Sequence, residues 1–98
     1  MNLINIKFEI EKIEKLVLCN SIQNNLSLNQ LADAYKTLLI LRNQFLSTFS
    51  GMPLDDIEEL RYRIMENILN IKIDIREMVG LSCEIEKKEM ERLWNKEQ

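Results

Sequence analysis

The side chains that most often carry catalysis are scarce in this chain. It has no histidine, two cysteines and two glycines among 98 residues. Histidine is the usual general base near neutral pH and the commonest transition-metal ligand, so its absence removes Ser-His and Cys-His nucleophile pairs. Any catalysis would have to use the 16 carboxylates or the 13 lysines and arginines. The sequence predicts no catalytic, cofactor-binding or metal-binding residue, and a carboxylate-based enzyme is the remote alternative.

The cysteines and glycines do not form a recognisable site either. Cys19 and Cys83 are too few and too far apart for a disulfide framework or a zinc site, which favours reduced packing residues in a cytosol. Gly51 and Gly80 cannot build a phosphate-binding loop, because such a loop needs glycines close together.

Arg42 is the charged residue that fits a simple helix least well. It follows Leu38 by four residues and precedes Phe45 by three, which places it near the centre of an apolar helical face. One interpretation is that its stem lies along the core while its guanidinium either extends to solvent or pairs with an acid of a neighbouring helix, such as Glu14, Glu66 or Asp74. The other is an open face on which Arg42 contacts a partner protein, since arginine is enriched at binding hot spots.

The only tryptophan lies in the most polar part of the sequence. Met90, Leu93 and Trp94 are spaced to share one side of a helix and could fill a hydrophobic groove of a partner. The charged residues around them are spread over most of the helix, which predicts a loosely packed, partner-binding segment over residues 84–98. The alternative is that the three side chains fold back to cap the open end of a bundle.

Four helices position these residues. Apolar side chains recur at three- and four-residue steps, and the predicted helices span about residues 3–23, 28–49, 54–79 and 83–96. Ser27 with Gln30 forms a capping-box pattern, Gly51 with Pro53 indicates a turn, and Gly80 can end the third helix. The sequence therefore predicts one all-α domain over residues 1–98, an antiparallel bundle of three long helices with a short C-terminal helix.

Two polar residues continue the apolar stripe of the first helix. Asn20 and Asn24 follow its isoleucines at helical spacing. The favoured interpretation is that the stripe leaves the core at this point. The alternative is that the amides are buried and fix the register of the helices.

The third helix carries more apolar surface than a small bundle needs. Its second apolar stripe, rotated by roughly a third of a turn from the first, consists of Tyr62, Met65, Leu69 and Ile73. A homodimer would bury this surplus, so the four residues are predicted to mediate self-association.

Charge and hydropathy indicate which partners are unsuitable. The formal net charge of −3 lacks the basic excess that drives binding to phosphate backbones, so no direct contact with nucleic acid is expected. No apolar stretch is long enough for a membrane span, and the first residues lack a signal-peptide pattern, so we expect a cytoplasmic protein.

These features together favour a small non-catalytic module that binds another protein. An inhibitor or adaptor encoded by a phage or plasmid is the leading hypothesis, because the sequence is rich in Asn, Ile and Lys as AT-rich genes tend to be. Four helices in about a hundred residues also resemble, in outline, small bacteriocin immunity proteins. That resemblance implies a dedicated partner made alongside the protein, as would the related hypothesis of a secretion chaperone.

Overall fold

The computed structural model describes residues 3–23, 26–49 and 55–96. Its four α-helices are α1 (Leu3–Gln23), α2 (Leu28–Phe49), α3 (Asp55–Met78) and α4 (Glu84–Lys96). The predicted all-α bundle of three long helices and one short helix is confirmed, and no predicted helix end is more than one residue from the observed one. The predicted turn at Gly51 and Pro53 lies outside the described residues. Over the described ranges, none of the helices is long and apolar enough to cross a bilayer.

The start of α2 has the predicted capping box. The backbone N–H of Gln30 donates to the Ser27 hydroxyl at 3.2 Å, and the Ser27 N–H donates to Gln30 Oε1 at 2.9 Å. Two donors that the first turn of a helix leaves without carbonyl partners are thereby satisfied. This cap fixes the residue at which α2 begins.

The turn from α3 to α4 depends on Gly80. Its φ angle of 77° lies in the left-handed region, which side chains with a Cβ adopt at a cost. The Gly80 N–H donates to the Glu77 carbonyl at 3.1 Å, and the Leu81 N–H donates to the Arg76 carbonyl at 2.8 Å. This pair of bonds is the Schellman arrangement, and it reverses the chain so that α4 returns along α3.

Helix α3 is the central element, because it contacts α1, α2 and α4. Glu14 of α1 lies against Arg63, and Asn20, further along α1, lies against Asp74. The order of these contacts shows that α1 and α3 run parallel, as the first and third helices of an up-and-down bundle must. Among the described residues, α4 packs on α3 alone.

The core is almost entirely aliphatic. Phe45 is its only fully buried aromatic residue in the described ranges. Its other members come from one face of each long helix and are Ile6, Ile10, Ile13, Leu31, Ala34, Leu38, Leu41, Ile57, Leu60, Ile64, Ile68 and Ile71. The first apolar stripe of α3 therefore supplies five core residues, as its 3.6-residue period predicts.

Asn20 corrects the interpretation favoured for the end of α1. The residue is buried, and its amide donates to Asp74 Oδ2 at 3.3 Å while its side-chain oxygen accepts the Leu26 N–H at 3.0 Å. A buried amide needs such partners, because an unmade hydrogen bond there costs free energy. Asn20 thus connects α1 to α3 and to Leu26, shortly before α2, whereas Asn24 lies outside the described residues.

A second polar contact joins α1 and α3 at Glu14. Its carboxylate accepts two hydrogen bonds from the Arg63 guanidinium, one of them from Nε at 3.1 Å, and a third from the buried Asn67 amide at 3.2 Å. The bonds from Arg63 outweigh burial and lower the pKa of Glu14 below its ordinary value. Burial instead raises the pKa of Asp74, which the bond from Asn20 only partly offsets.

The opposite pKa shifts of Glu14 and Asp74 predict opposite effects of pH on the stability of the fold. Because the Glu14 pKa is lower in the folded than in the unfolded chain, its stabilisation is full above the unfolded pKa and is lost as pH falls through the folded one. The pKa of Asp74 is higher in the folded chain, so its ionised carboxylate lowers the free energy of unfolding at neutral pH, and protonation on acidification removes this loss. Between about pH 3 and pH 6, the melting temperature should fall less on acidification in Glu14→Gln than in the wild type. It should fall more on acidification in Asp74→Asn than in the wild type. Parallel profiles for both variants and the wild type would contradict this assignment.

Candidate protein-docking groove

A groove open to solvent lies between α2, α3 and the end of α4. Its volume is about 520 Å³. The apolar side chains that line it come from all three helices and are Phe45, Leu46, Ile64, Met65 and Leu93. Phe45 and Ile64 belong to the core, whereas Leu46 is 44% exposed and Met65 and Leu93 are half-buried. The floor of the groove is therefore buried core, and its sides are partly exposed apolar groups that a partner could cover.

The remaining lining residues are polar or charged, namely Arg42, Asn43, Glu58, Arg61 and Tyr62. Two arginines against one glutamate give the groove a formal charge of +1 in a chain whose net charge is −3. Arg61 and Glu58 are both exposed and pair at 3.4 Å, which leaves Arg42 as the uncompensated charge. An apolar floor with one such cation suits a partner that is mostly apolar and carries an acidic group.

Arg42 is half-buried, and its Nε is fully buried without a hydrogen-bond acceptor. None of the three acids named as its internal partner pairs with it in the described structure, so the predicted internal ion pair with these acids is wrong. Glu14 binds Arg63, Asp74 binds Asn20, and Glu66 lies with both acids in a separate pocket between α1 and α3. A guanidinium that extends to solvent and an open face for a partner both agree with the place of Arg42 in the groove.

The unsatisfied Nε predicts how Arg42 affects stability. Arg42→Met should keep or raise the free energy of unfolding, by up to about 1 kcal/mol, because it removes a buried donor that lacks an acceptor. Arg63→Met is the matched control, since that guanidinium holds Glu14, and it should lower the free energy of unfolding. Urea denaturation of both variants measures the difference. A loss of stability in Arg42→Met as large as in Arg63→Met would mean that Arg42 has an internal acceptor.

The structure separates the three apolar residues of the C-terminal segment. Met90 is only 3% exposed, Leu93 lines the groove, and Trp94 is 48% exposed. Met90 is therefore corrected from a partner contact to a packing residue, because it is buried on a helix that contacts only α3 within the described ranges. Leu93 and Trp94 remain candidates for partner contact.

Polar contacts as well as Met90 hold α4 on α3. Arg76 Nε donates to the Ser82 carbonyl at 2.6 Å and lies 3.4 Å from the carboxylate of Glu86, which is buried. Lys87 and Glu77 make an exposed pair at 3.6 Å. The prediction that residues 84–98 form a loosely packed appendage is thus wrong for the first part of α4, because these contacts join it to α3 and place Leu93 at the groove.

The register of α4 also explains the burial of Leu69. Helix α4 follows α3 from the Arg76–Glu86 pair near the turn to Leu93 beside Tyr62 and Met65, so Leu69 lies within the length of α3 that α4 follows. Leu69 is 4% exposed, so it is corrected from a self-association residue to a residue of the α3–α4 contact. Leu69 therefore no longer supports the predicted homodimer, because α4 covers apolar surface that a second copy was expected to bury.

The other members of the second α3 stripe are half-buried. Tyr62 and Met65 line the groove, and Ile73 does not. The stripe is therefore divided between an intramolecular contact at Leu69 and a surface that a partner could reach at Tyr62 and Met65. Self-association through these residues stays a prediction that light scattering of the protein at tens of micromolar can test.

Sequence reasoning found Arg42 and Leu93 but did not bring them together. It also missed Leu46 and Arg61, which appeared as ordinary positions on amphipathic helices. No repeated spacing of residues in the sequence indicates this groove, because its residues come from three helices. The described residues contain no group of three or more histidine, cysteine or acidic side chains able to hold a metal ion, and Cys83 is a buried free thiol 3.7 Å from Glu77.

Comparison with known proteins identifies no relatives. No protein-family model matches the sequence, and no curated protein or solved structure matches it significantly.

Proposed function

We propose that this chain is a small non-catalytic module that binds another protein in the groove between α2, α3 and α4. The observation that supports this most strongly is Arg42, a half-buried cation that pairs with no acid of the described residues and lies beside an apolar floor. A bound protein would bring an acid to the accessible part of this side chain and cover Leu46, Met65 and Leu93. Both changes favour association, since a charge-assisted hydrogen bond forms and apolar surface leaves water.

Within this class, we retain an inhibitor or adaptor that blocks or sequesters its target as the leading proposal, and a phage or plasmid as its source. An immunity-type protein or a secretion chaperone, each with a dedicated partner, is the alternative. For either role we propose a cytoplasmic location.

Site-specific photocrosslinking tests the proposed site. A photoreactive amino acid is placed at Leu46 in the groove or at Leu16 on α1, two positions that are 44% and 45% exposed. Each full-length variant is irradiated in host cells, and the crosslinked protein is identified and purified for calorimetric titration. We expect one partner to be crosslinked from position 46 and not from position 16.

The purified partner then decides between a groove contact and proximity alone. Leu46→Glu places a charge in the groove, and Ile40→Glu makes the same change at an exposed position of α2 outside it. We expect Leu46→Glu to weaken binding at least about tenfold and Ile40→Glu to leave it nearly unchanged. Equal effects of the two variants, or crosslinking from position 16 alone, would contradict the proposed site.

A further inference from the structure

We propose that the groove accepts an amphipathic helix of the partner protein, which presents an acidic side chain to Arg42. This inference rests on the proposed function and specifies the chemistry of the partner. Three properties of the groove support it: the helices that form its walls, the sign of its charge, and the unpaired cation Arg42.

The walls of the groove favour a helical occupant. Helix α4 contacts α3 and not α2 within the described residues, so the side of the groove that faces α2 stays uncovered. A partner helix lying there would pack between α2 and α3, as helices do in a four-helix bundle, and would touch Leu93 at one edge. Addition of a β-strand is disfavoured, because the described ranges contain no strand edge to receive it.

The charge of the groove favours an acidic occupant over a basic one. Arg42 and Arg61 make it positive, whereas the pocket on the α1 side of α3 is lined by Glu14, Glu66 and Asp74. An acidic helix is attracted to the first surface and repelled by the second. This contrast gives the module one preferred docking face although its net charge is negative.

Arg42 specifies where the acid must be. Arg42 is half-buried and pairs with no acid of the described residues, whereas the Arg61 guanidinium is exposed and already lies 3.4 Å from Glu58. A carboxylate that reaches the accessible part of the Arg42 guanidinium gains a charge-assisted hydrogen bond. The acid should therefore sit among the apolar residues of the partner helix that contact Leu46 and Met65, at three- or four-residue spacing from them.

An unbiased peptide selection tests this chemistry without knowledge of the natural partner. A phage-displayed library of random helical peptides of about 14 residues, four turns, is selected on the immobilised full-length protein. Binders that also attach to Leu46→Glu are removed, and those that still bind Ile40→Glu are kept. We expect the selected peptides to share one Asp or Glu flanked by apolar residues at helical spacing.

The strongest peptide is then synthesised in its acidic form and with the acid replaced by its amide. The acidic form should bind the wild type about tenfold or more tightly than the amide form, and the two should bind Arg42→Met nearly equally. Circular dichroism of the mixtures should show additional helix on binding. This double-mutant cycle assigns the preference to Arg42 rather than to the overall charge of the protein.

Selected peptides without a shared acid, an acid preference that persists in Arg42→Met, or no enriched peptide at all would overturn the inference. These outcomes are distinct from failure of the proposed function. A natural partner crosslinked at position 46 would uphold protein binding even if its contact segment were neutral or extended. Crosslinking from position 16 alone would reject the groove as the docking site.

Discussion

Met90→Ala is expected to lower the free energy of unfolding by about 2–5 kcal/mol, the usual cost of truncating a buried methionine. Met90 is 3% exposed and lies on a helix that contacts only α3 in the described structure. For a domain of this size, the loss should lower Tm by more than about 10 °C in calorimetry. Deleting residues 84–98 should cost at least as much, because it removes Met90 and exposes Leu69.

Ile85→Ala is the matched control on the same helix. Ile85 is 70% exposed, so its truncation should change the free energy of unfolding by no more than about 0.5 kcal/mol. Similar small effects at positions 85 and 90, together with a truncated protein that melts as the wild type does, would restore the interpretation of α4 as a loosely attached segment.

Leu69→Glu should unfold the protein or lower its free energy of unfolding by about 3–5 kcal/mol, because an unpaired carboxylate would replace a buried leucine. If Leu69 instead mediated self-association, the variant would stay folded and only its mass would fall. Circular dichroism melts and light scattering at several protein concentrations separate the two cases. We expect loss of the folded signal at every concentration.

Ile40→Glu introduces the same charge on α2 at a position that is 52% exposed. Its melting should match that of the wild type within about 0.5 kcal/mol. A Leu69→Glu protein that melts like Ile40→Glu but has half the wild-type mass would show that Leu69 lies between two copies of the chain.

The local features of the fold could be predicted because neighbouring residues determine them. Helical spacing of apolar residues gave all four helices, and the hydrogen bonds between Ser27 and Gln30 confirm the start of α2. Gly80 was predicted to end α3, and its positive φ agrees with that role. Each of these interactions closes over a few residues, so a short stretch of sequence contains all its participants.

Long-range partners could not be predicted in the same way. The amide of Asn20 could have faced water or the core, and its bond to Asp74, 54 residues away, settles the choice. Arg42 could have met an internal acid, but all three candidate acids lie in the pocket between α1 and α3. A helical period assigns a residue to a face, and it does not say which other helix lies against that face.

The sequence by itself determined that the chain is all-α, that its core is aliphatic, and that histidine chemistry is absent. Only the tertiary structure decided how the third helix uses its second apolar stripe. There α4 folds back from Gly80, buries Leu69 and places Leu93 beside Met65 and Arg42. The physical reason is that burial depends on which helices become neighbours and in what register, and the free energy of that arrangement is shared among side chains far apart in the chain.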